Sequence, residues 1–192
     1  MQIFNNLEDF KKLENAVVTI GSFDGVHIGH RLLLKKLCTT AQNTDGVSVV
    51  ISFNPHPQEV LRHDPNFFTI LTIEEKISLL EKENIDILLL LPFTPELANL
   101  SSEQFVEQIL IKKIGTRTLI MGPGNNFGKG REGNYQSSYN FLLKNGITPI
   151  LIEEYLMNDI AVRSSKIREA IIDKNYAKAE ALLGHSTFRK KE

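Results

Sequence analysis

Between Ala16 and Ile152, short apolar runs alternate with longer stretches in which apolar residues recur every three or four positions. That alternation is the pattern of an α/β protein with a mainly parallel sheet flanked by helices. Ala16–Ile20 reads as the first strand and runs directly into Gly21, and leucines at 32, 33 and 37 predict a helix over residues 30–39, just after two histidines. Val47–Phe53 is rich in β-branched residues and stops at Pro55 and Pro57, which cannot donate to a ladder, so a loop is expected there. Two capping boxes, Thr72-Ile-Glu-Glu75 and Ser101-Ser-Glu-Gln104, predict helices running to about Lys82 and Lys113, with a buried strand at 85–91 between them. A strand at 118–121 leads into a glycine-rich loop at 122–133. A helix over 137–144, a strand over 148–152 and two closing helices, 165–173 and Tyr176–Leu183, complete the pattern.

A chain of 192 residues supports one hydrophobic core, so a single domain is expected over 1–186 with a short frayed tail at 187–192. The formal net charge of -1 creates no field that would gather nucleic acid or an anionic membrane, and neither is expected as a partner. No apolar run approaches the roughly 18 residues of a membrane span, and the N-terminus lacks a basic start followed by an apolar stretch. Cys38 is the sole cysteine, which excludes an intramolecular disulfide and makes a cytoplasmic location the default. Oligomeric state is not legible in the chain.

The chemistry must then come from local sites. His27-Ile-Gly-His30 stands between a strand and a helix, where loop amides and the positive end of the helix face the same point. An anion is the natural ligand, and Gly29 leaves room for a phosphate beside the backbone. Phosphoryl and nucleotidyl transfers rest on positioning and charge stabilisation, so donors without a nucleophile suffice. Zinc is the rival reading of two histidines three apart, but a third ligand is not evident and no protein-bound metal is expected. His63 and His185 stand apart from any motif and read as surface residues.

Asn54, Pro55, His56 and Pro57 lie where the second strand ends, the edge at which open α/β sheets bind ligands. Arg163-Ser-Ser-Lys-Ile-Arg168 opens a helix, with Ser164 or Ser165 as its cap. Arg168 in the first turn opposes the helix dipole, a conflict that a phosphate partner would resolve. The loop at 122–133 has neither the GxxxxGK[ST] pattern nor glycines that open a helix.

Taken in order, these segments resemble the adenylyltransferase module of the prokaryotic FAD synthetases, the bifunctional riboflavin kinase/FMN adenylyltransferases. The match also takes in Leu71-Thr-Ile-Glu-Glu-Lys76, Leu100-Ser-Ser-Glu-Gln-Phe-Val106, Phe127-Gly-Lys-Gly-Arg-Glu-Gly133 and Ala181-Leu-Leu-Gly184. It implies a Rossmann-like HxGH nucleotidyltransferase fold that converts ATP and FMN to FAD and pyrophosphate, with Mg2+ accompanying ATP. By position, His27, His30 and Arg168 would be catalytic. Gly21, Ser22, Phe23, Asp24, Gly25 and Gly29 would line the ATP site with Ser164 and Ser165, and Asn54 to Pro57, Asn125 and Phe127 would face FMN.

The resemblance also sets three departures. The family continues beyond a motif like Leu182-Leu-Gly184 into a riboflavin kinase barrel, whereas this sequence runs to Glu192, so kinase activity is not expected. Gly124 and Asn125 stand where the family carries an acid or Asn followed by an aromatic residue or His. Arg163 replaces the first serine of a Ser-Ser-Thr motif. These differences fall on the acceptor side, which leaves open transfer to another phosphorylated acceptor, or nucleotide or flavin binding without turnover.

Overall fold

Ala16–Ile20 (β2) is buried at every position because it lies in the middle of a sheet covered on both faces. In the computed structural model, which describes residues 1–62 and 67–188, five further strands join it. They are β1 (Gln2–Phe4), β3 (Val47–Phe53), β4 (Ile87–Leu91), β5 (Thr116–Met121) and β6 (Thr148–Leu151). The order is β1-β4-β3-β2-β5-β6, and every neighbouring pair is parallel. The chain steps outward from β2 through β3 to β4, then returns to lay β5 on the other side of β2. The crevice at the carboxyl ends of β2 and β5 is therefore the switch point at which such sheets bind ligands.

Alternate strand residues feed two cores. On one face Val17, Val50, Leu88 and Ile120 pack with α1 (Ile28–Asn43), and beyond it α3 (Ile73–Glu81), α7 (Ser164–Ile172) and α8 (Tyr176–Leu183). On the other face Val18, Ile51, Leu89 and Leu119 meet α5 (Ser102–Phe105), its π-helical continuation Val106–Ile114, and α6 (Tyr135–Lys144). A small antiparallel pair, β7 (Leu156–Met157) and β8 (Ile160–Ala161), occupies the break before α7.

The predicted elements stand, with instructive differences. β1, half-exposed at the sheet edge, is too short to announce itself. The strand expected at 85–91 starts at Ile87, because Asp86 turns its carboxylate to the Ser48 N–H (2.8 Å) and hydroxyl (2.6 Å). The loop expected after Phe53 becomes a helix, α2 (Pro57–Arg62): Pro57 sits at its first position, where a missing N–H costs nothing. A further short helix, α4 (Pro95–Asn99), is capped by Thr94. The helix expected to 113 widens into the π-helical stretch and extends to Ile114. Packing runs past the boundary expected at 186, since Phe188 is buried and its ring lies 6.0 Å from that of Tyr176. His63 and the tail from Arg189 lie outside the described residues. No described helix is long and apolar enough to cross a membrane.

Candidate active site

After β2 the ladder continues through the Gly21 N–H, which donates to the Ile51 carbonyl at 3.0 Å. The backbone then enters left-handed territory at Phe23 (φ 48°), Gly25 (φ 91°) and Val26 (φ 38°). For a β-branched valine that is strained, and the surroundings must hold it. They do so by burying Phe23 and Val26 in the core, 1% exposed each, and by fixing Asp24 between them. Asp24 Oδ1 accepts from the Ile70 N–H (2.8 Å), Oδ2 from Arg168 Nη1 (2.6 Å), and its carbonyl from the Ser164 hydroxyl (2.7 Å). One buried carboxylate thus fastens the loop to α7 and to the segment before α3.

His27 caps α1. Its Nδ1 accepts from the His30 N–H at 3.2 Å, so in the neutral ring the proton sits on Nε2. The His30 ring stacks on it, centroids 3.6 Å apart and planes 14° from parallel, with Phe23 5.0 Å from His30. A Cβ at Gly29 would stand 3.3 Å from Cε1 and Nδ1 of His27, so the glycine between the histidines lets that ring lie where it does. Burial lowers the His27 pKa to about 4. Burial, then the charges of His27 and Lys76, hold His30 well below its ordinary value. Both rings are neutral at pH 7. Among the described residues His30 Nδ1, a buried atom, has no hydrogen-bond partner.

At the end of β3 the Asn54–Pro55 peptide is cis. His56 is buried; its Nδ1 accepts from the Gln58 N–H at 3.0 Å and its ring lies 4.8 Å from that of Phe67. Burial, then the charges of Arg168 and Lys76, bring its pKa to about 3. A cavity of about 390 Å³ opens here, lined by Asp24, Phe53, Asn54, His56, Thr72 and Lys76 among others. Lys76 Nζ donates to the carbonyls of Ser22 and Phe53 (both 3.3 Å) and to Ser52 Oγ (3.4 Å), joining the ends of β2 and β3. Burial lowers its pKa, while Asp24 and Glu59 pull the other way.

Residues 9–166 match the FAD synthetase family. The chain belongs to that family. It is 32% identical over 186 residues to the bifunctional riboflavin kinase/FMN adenylyltransferase of Buchnera aphidicola subsp. Schizaphis graminum, covering 96% of this chain and 60% of the relative. The enzyme of that name from Escherichia coli K12 is 31% identical over 172 residues, 90% of this chain and 55% of its own length. A solved structure described as a macrolide-efflux protein from Streptococcus pneumoniae superposes with a TM-score of 0.83 at 28% identity, over 95% of this chain and 59% of that one. The chain thus spans about 60% of the length of the Buchnera relative.

Within this FAD synthetase fold the expected site residues divide. Gly21 to His30 and Asn54 to Pro57 come together at the carboxyl edge of β2 and β3, with Ser164 and Arg168 reaching them from α7. Arg168 lies in the second turn of α7 and its partner is Asp24, so a carboxylate of the same chain answers the charge that a phosphate was expected to meet. Its guanidinium also lies 4.9 Å over the Phe67 ring and 3.5 Å from Gln58 Oε1. Burial pushes the Asp24 carboxyl up and the Arg168 guanidinium down, yet a guanidinium stays charged in a protein, and at 2.6 Å the two are an ion pair.

Other expectations need correcting. Neither Ser164 nor Ser165 caps α7: the cap position is Arg163, without a side-chain bond, and Ser165 is exposed in the first turn. Arg163, which stands at the first serine position of the family motif, is paired with Glu154 at the surface (Nε to Oε1 2.8 Å). Phe127 is buried against Phe105, ring centroids 5.7 Å apart, while its backbone bridges to Gly133, so its side chain serves the core under the loop rather than a flavin. Phe23 likewise turns its ring into the core. Asn125 donates Nδ2 to the Ile20 carbonyl at 2.6 Å, which ties the glycine loop to the end of β2. His185, expected at the surface, lies against the HxGH loop with Nε2 2.8 Å from the Gly25 carbonyl. Lys76 and His185 escaped notice as site residues; the one signal for either was its place in, or next to, a stretch shared with the family.

Proposed function

We propose that the chain transfers the adenylyl group of ATP to the phosphate of FMN, giving FAD and pyrophosphate. The observation that carries this is the neutral, stacked His27–His30 pair at the amino end of α1, set at the switch point of a parallel sheet. Bound there, a triphosphate meets the His27 Nε2–H and the first free amides of the helix, in a buried setting where such donors act strongly. An oxygen of the FMN phosphate attacks the α-phosphorus, the bond from that phosphorus to the bridging oxygen breaks, and pyrophosphate departs. The attacking phosphate is already ionised, so positioning and charge stabilisation replace a general base.

Gly21, Ser22, Asp24, Gly25 and Gly29 supply the backbone around the nucleotide. Asn54, His56 and the cavity they share with Lys76 suit the acceptor, whose ring needs apolar and hydrogen-bonding walls together. Arg168 and Ser164 act by holding Asp24, and through it the loop. Magnesium comes with ATP as part of the substrate. A cytoplasmic setting suits substrates of this kind.

The test is direct. Purified chain with ATP, magnesium and FMN should yield FAD and pyrophosphate in equal amounts by chromatography. No FAD above a protein-free control would overturn the proposal, and pyrophosphate released only with another phosphorylated acceptor would reassign the acceptor cavity.

A further inference from the structure

His185 follows α8 in sequence, 160 positions from the residue it touches, and its environment is organised around the HxGH loop. Its Nε2 faces the Gly25 carbonyl at 2.8 Å, and since a carbonyl only accepts, that nitrogen carries the proton. Gly25 precedes Val26, whose left-handed φ of 38° sets the direction in which the next residue, His27, leaves the loop. The neighbours of His185 converge on the same loop. A Cβ at Gly184 would come within 2.8 Å of Ile28 Cγ1, and one at Gly25 within 3.1 Å of Leu183 Cδ2, so the Leu183-Gly-His185 corner and the Gly25–Ile28 segment are in contact at closest approach.

We infer that His185 is a positioning residue for the catalytic histidines, its Nε2–H holding the Gly25 carbonyl so that the strained Val26 turn presents the His27–His30 pair to the triphosphate. The inference rests on the adenylyltransferase reading above and deepens it, adding a fastening that the HxGH segment does not itself contain. Asp24 anchors the loop on its Ile70 and Arg168 side, and His185 anchors it on the α8 side.

Two substitutions separate the donor from mere bulk. His185→Phe keeps a ring of similar outline and removes the N–H, whereas His185→Gln places an amide N–H near the position of Nε2. In FAD formation, His185→Phe is expected to lower kcat about tenfold with KM for FMN changed less than twofold, and His185→Gln to recover to within about threefold of the parent. In parallel, hydrogen exchange at the His30 amide, which is bonded to His27 Nδ1, should quicken at least tenfold in His185→Phe, with unchanged thermal midpoint, and return in His185→Gln. If the parent chain makes no FAD, the adenylyltransferase reading fails while the exchange measurement still judges the fastening. Unchanged kcat and unchanged His30 exchange in His185→Phe, or equal damage in Phe and Gln, would overturn it.

Discussion

The segment from Gly21 to His30 and the loop at 122–133 leave the sheet at the same switch point, yet they are built in opposite ways. In the first, Phe23, Asp24, Val26 and His27 are all buried, and every turn is held by a named partner from a distant element. In the second, burial is confined to Gly122, Phe127 and Gly133, and the rest of the loop from Pro123 to Glu132 is partly or fully exposed. One glycine of each shows the contrast, although Gly128 and Gly133 pack closely on Ser102. A Cβ at Gly29 would press on the His27 ring, while one at Gly124 would meet nothing within 4 Å. A site that must stabilise charge needs donors that do not reorganise. The 122–133 loop instead keeps an exposed stretch at Pro123, Gly124 and Asn126, while its far half is tied to residues 100–102 by the Lys129 N–H to the Leu100 carbonyl (2.7 Å) and the Ser102 N–H to Glu132 Oε1 (2.8 Å).

The contrast can be broken most severely at Asp24. Asp24→Ala leaves Arg168 buried without its carboxylate and frees the Ile70 amide, and should cost about 3–5 kcal/mol in urea unfolding. Acid should act next. His27 has a folded pKa of about 4 against 6.5 for the free side chain, so between those values the unfolded chain binds a proton that the folded chain refuses. Stability therefore falls as pH drops from 6.5 towards 4, by up to about 3 kcal/mol from His27. His56, at about 3, adds to the loss in the same direction. Urea midpoints at pH 7 and pH 4.5 measure the sum, and equal midpoints would contradict the neutral pair.

His30→Ala should slow FAD formation roughly a hundredfold in a chain that remains folded, the scale of losing one charge-stabilising group; a loss under about fivefold would place the chemistry elsewhere. The glycines then sharpen the comparison. Gly29→Ala should reduce kcat/KM for ATP about tenfold, by pushing the His27 ring off its stack, whereas Gly124→Ala should change KM for FMN less than twofold, steady-state kinetics reporting both. Equal effects of the two would mean that the loop is as closely fitted as the histidine segment.

Much of this was legible in the sequence because strand burial and helix capping are local. β2 and β3 follow from β-branched runs, and the Thr72 and Ser101 capping boxes form as written. The HxGH segment also announces its place, since a strand, a glycine and a helix must put it at the sheet edge. What was not legible depends on partners far apart in the chain. Arg168 looks like a free cation until Asp24, 144 residues away, is seen to hold it, and His185 looks solvated until Gly25 comes within reach. Phe127 misled for the converse reason: an aromatic ring in a glycine-rich loop reads as a ligand platform, but bridging at Gly133 turns it inward. The π-helical widening after Phe105 leaves no distinct spacing of apolar residues, because the same ones serve an α-helix nearly as well.

The strand order has a consequence for how the molecule is made. β2 has β3 on one side within a few dozen residues of synthesis, but its other neighbour, β5, lies almost a hundred residues further on, and β1 waits some eighty residues for β4. During translation the central strand therefore carries an open edge while the outer ones are still being added, a setting in which pairing is slow and mispairing competes. The Gly21–His30 segment that follows this strand is the first part of the site to be synthesised and the last to be finished, since α7 and His185 close it only after the sheet is complete.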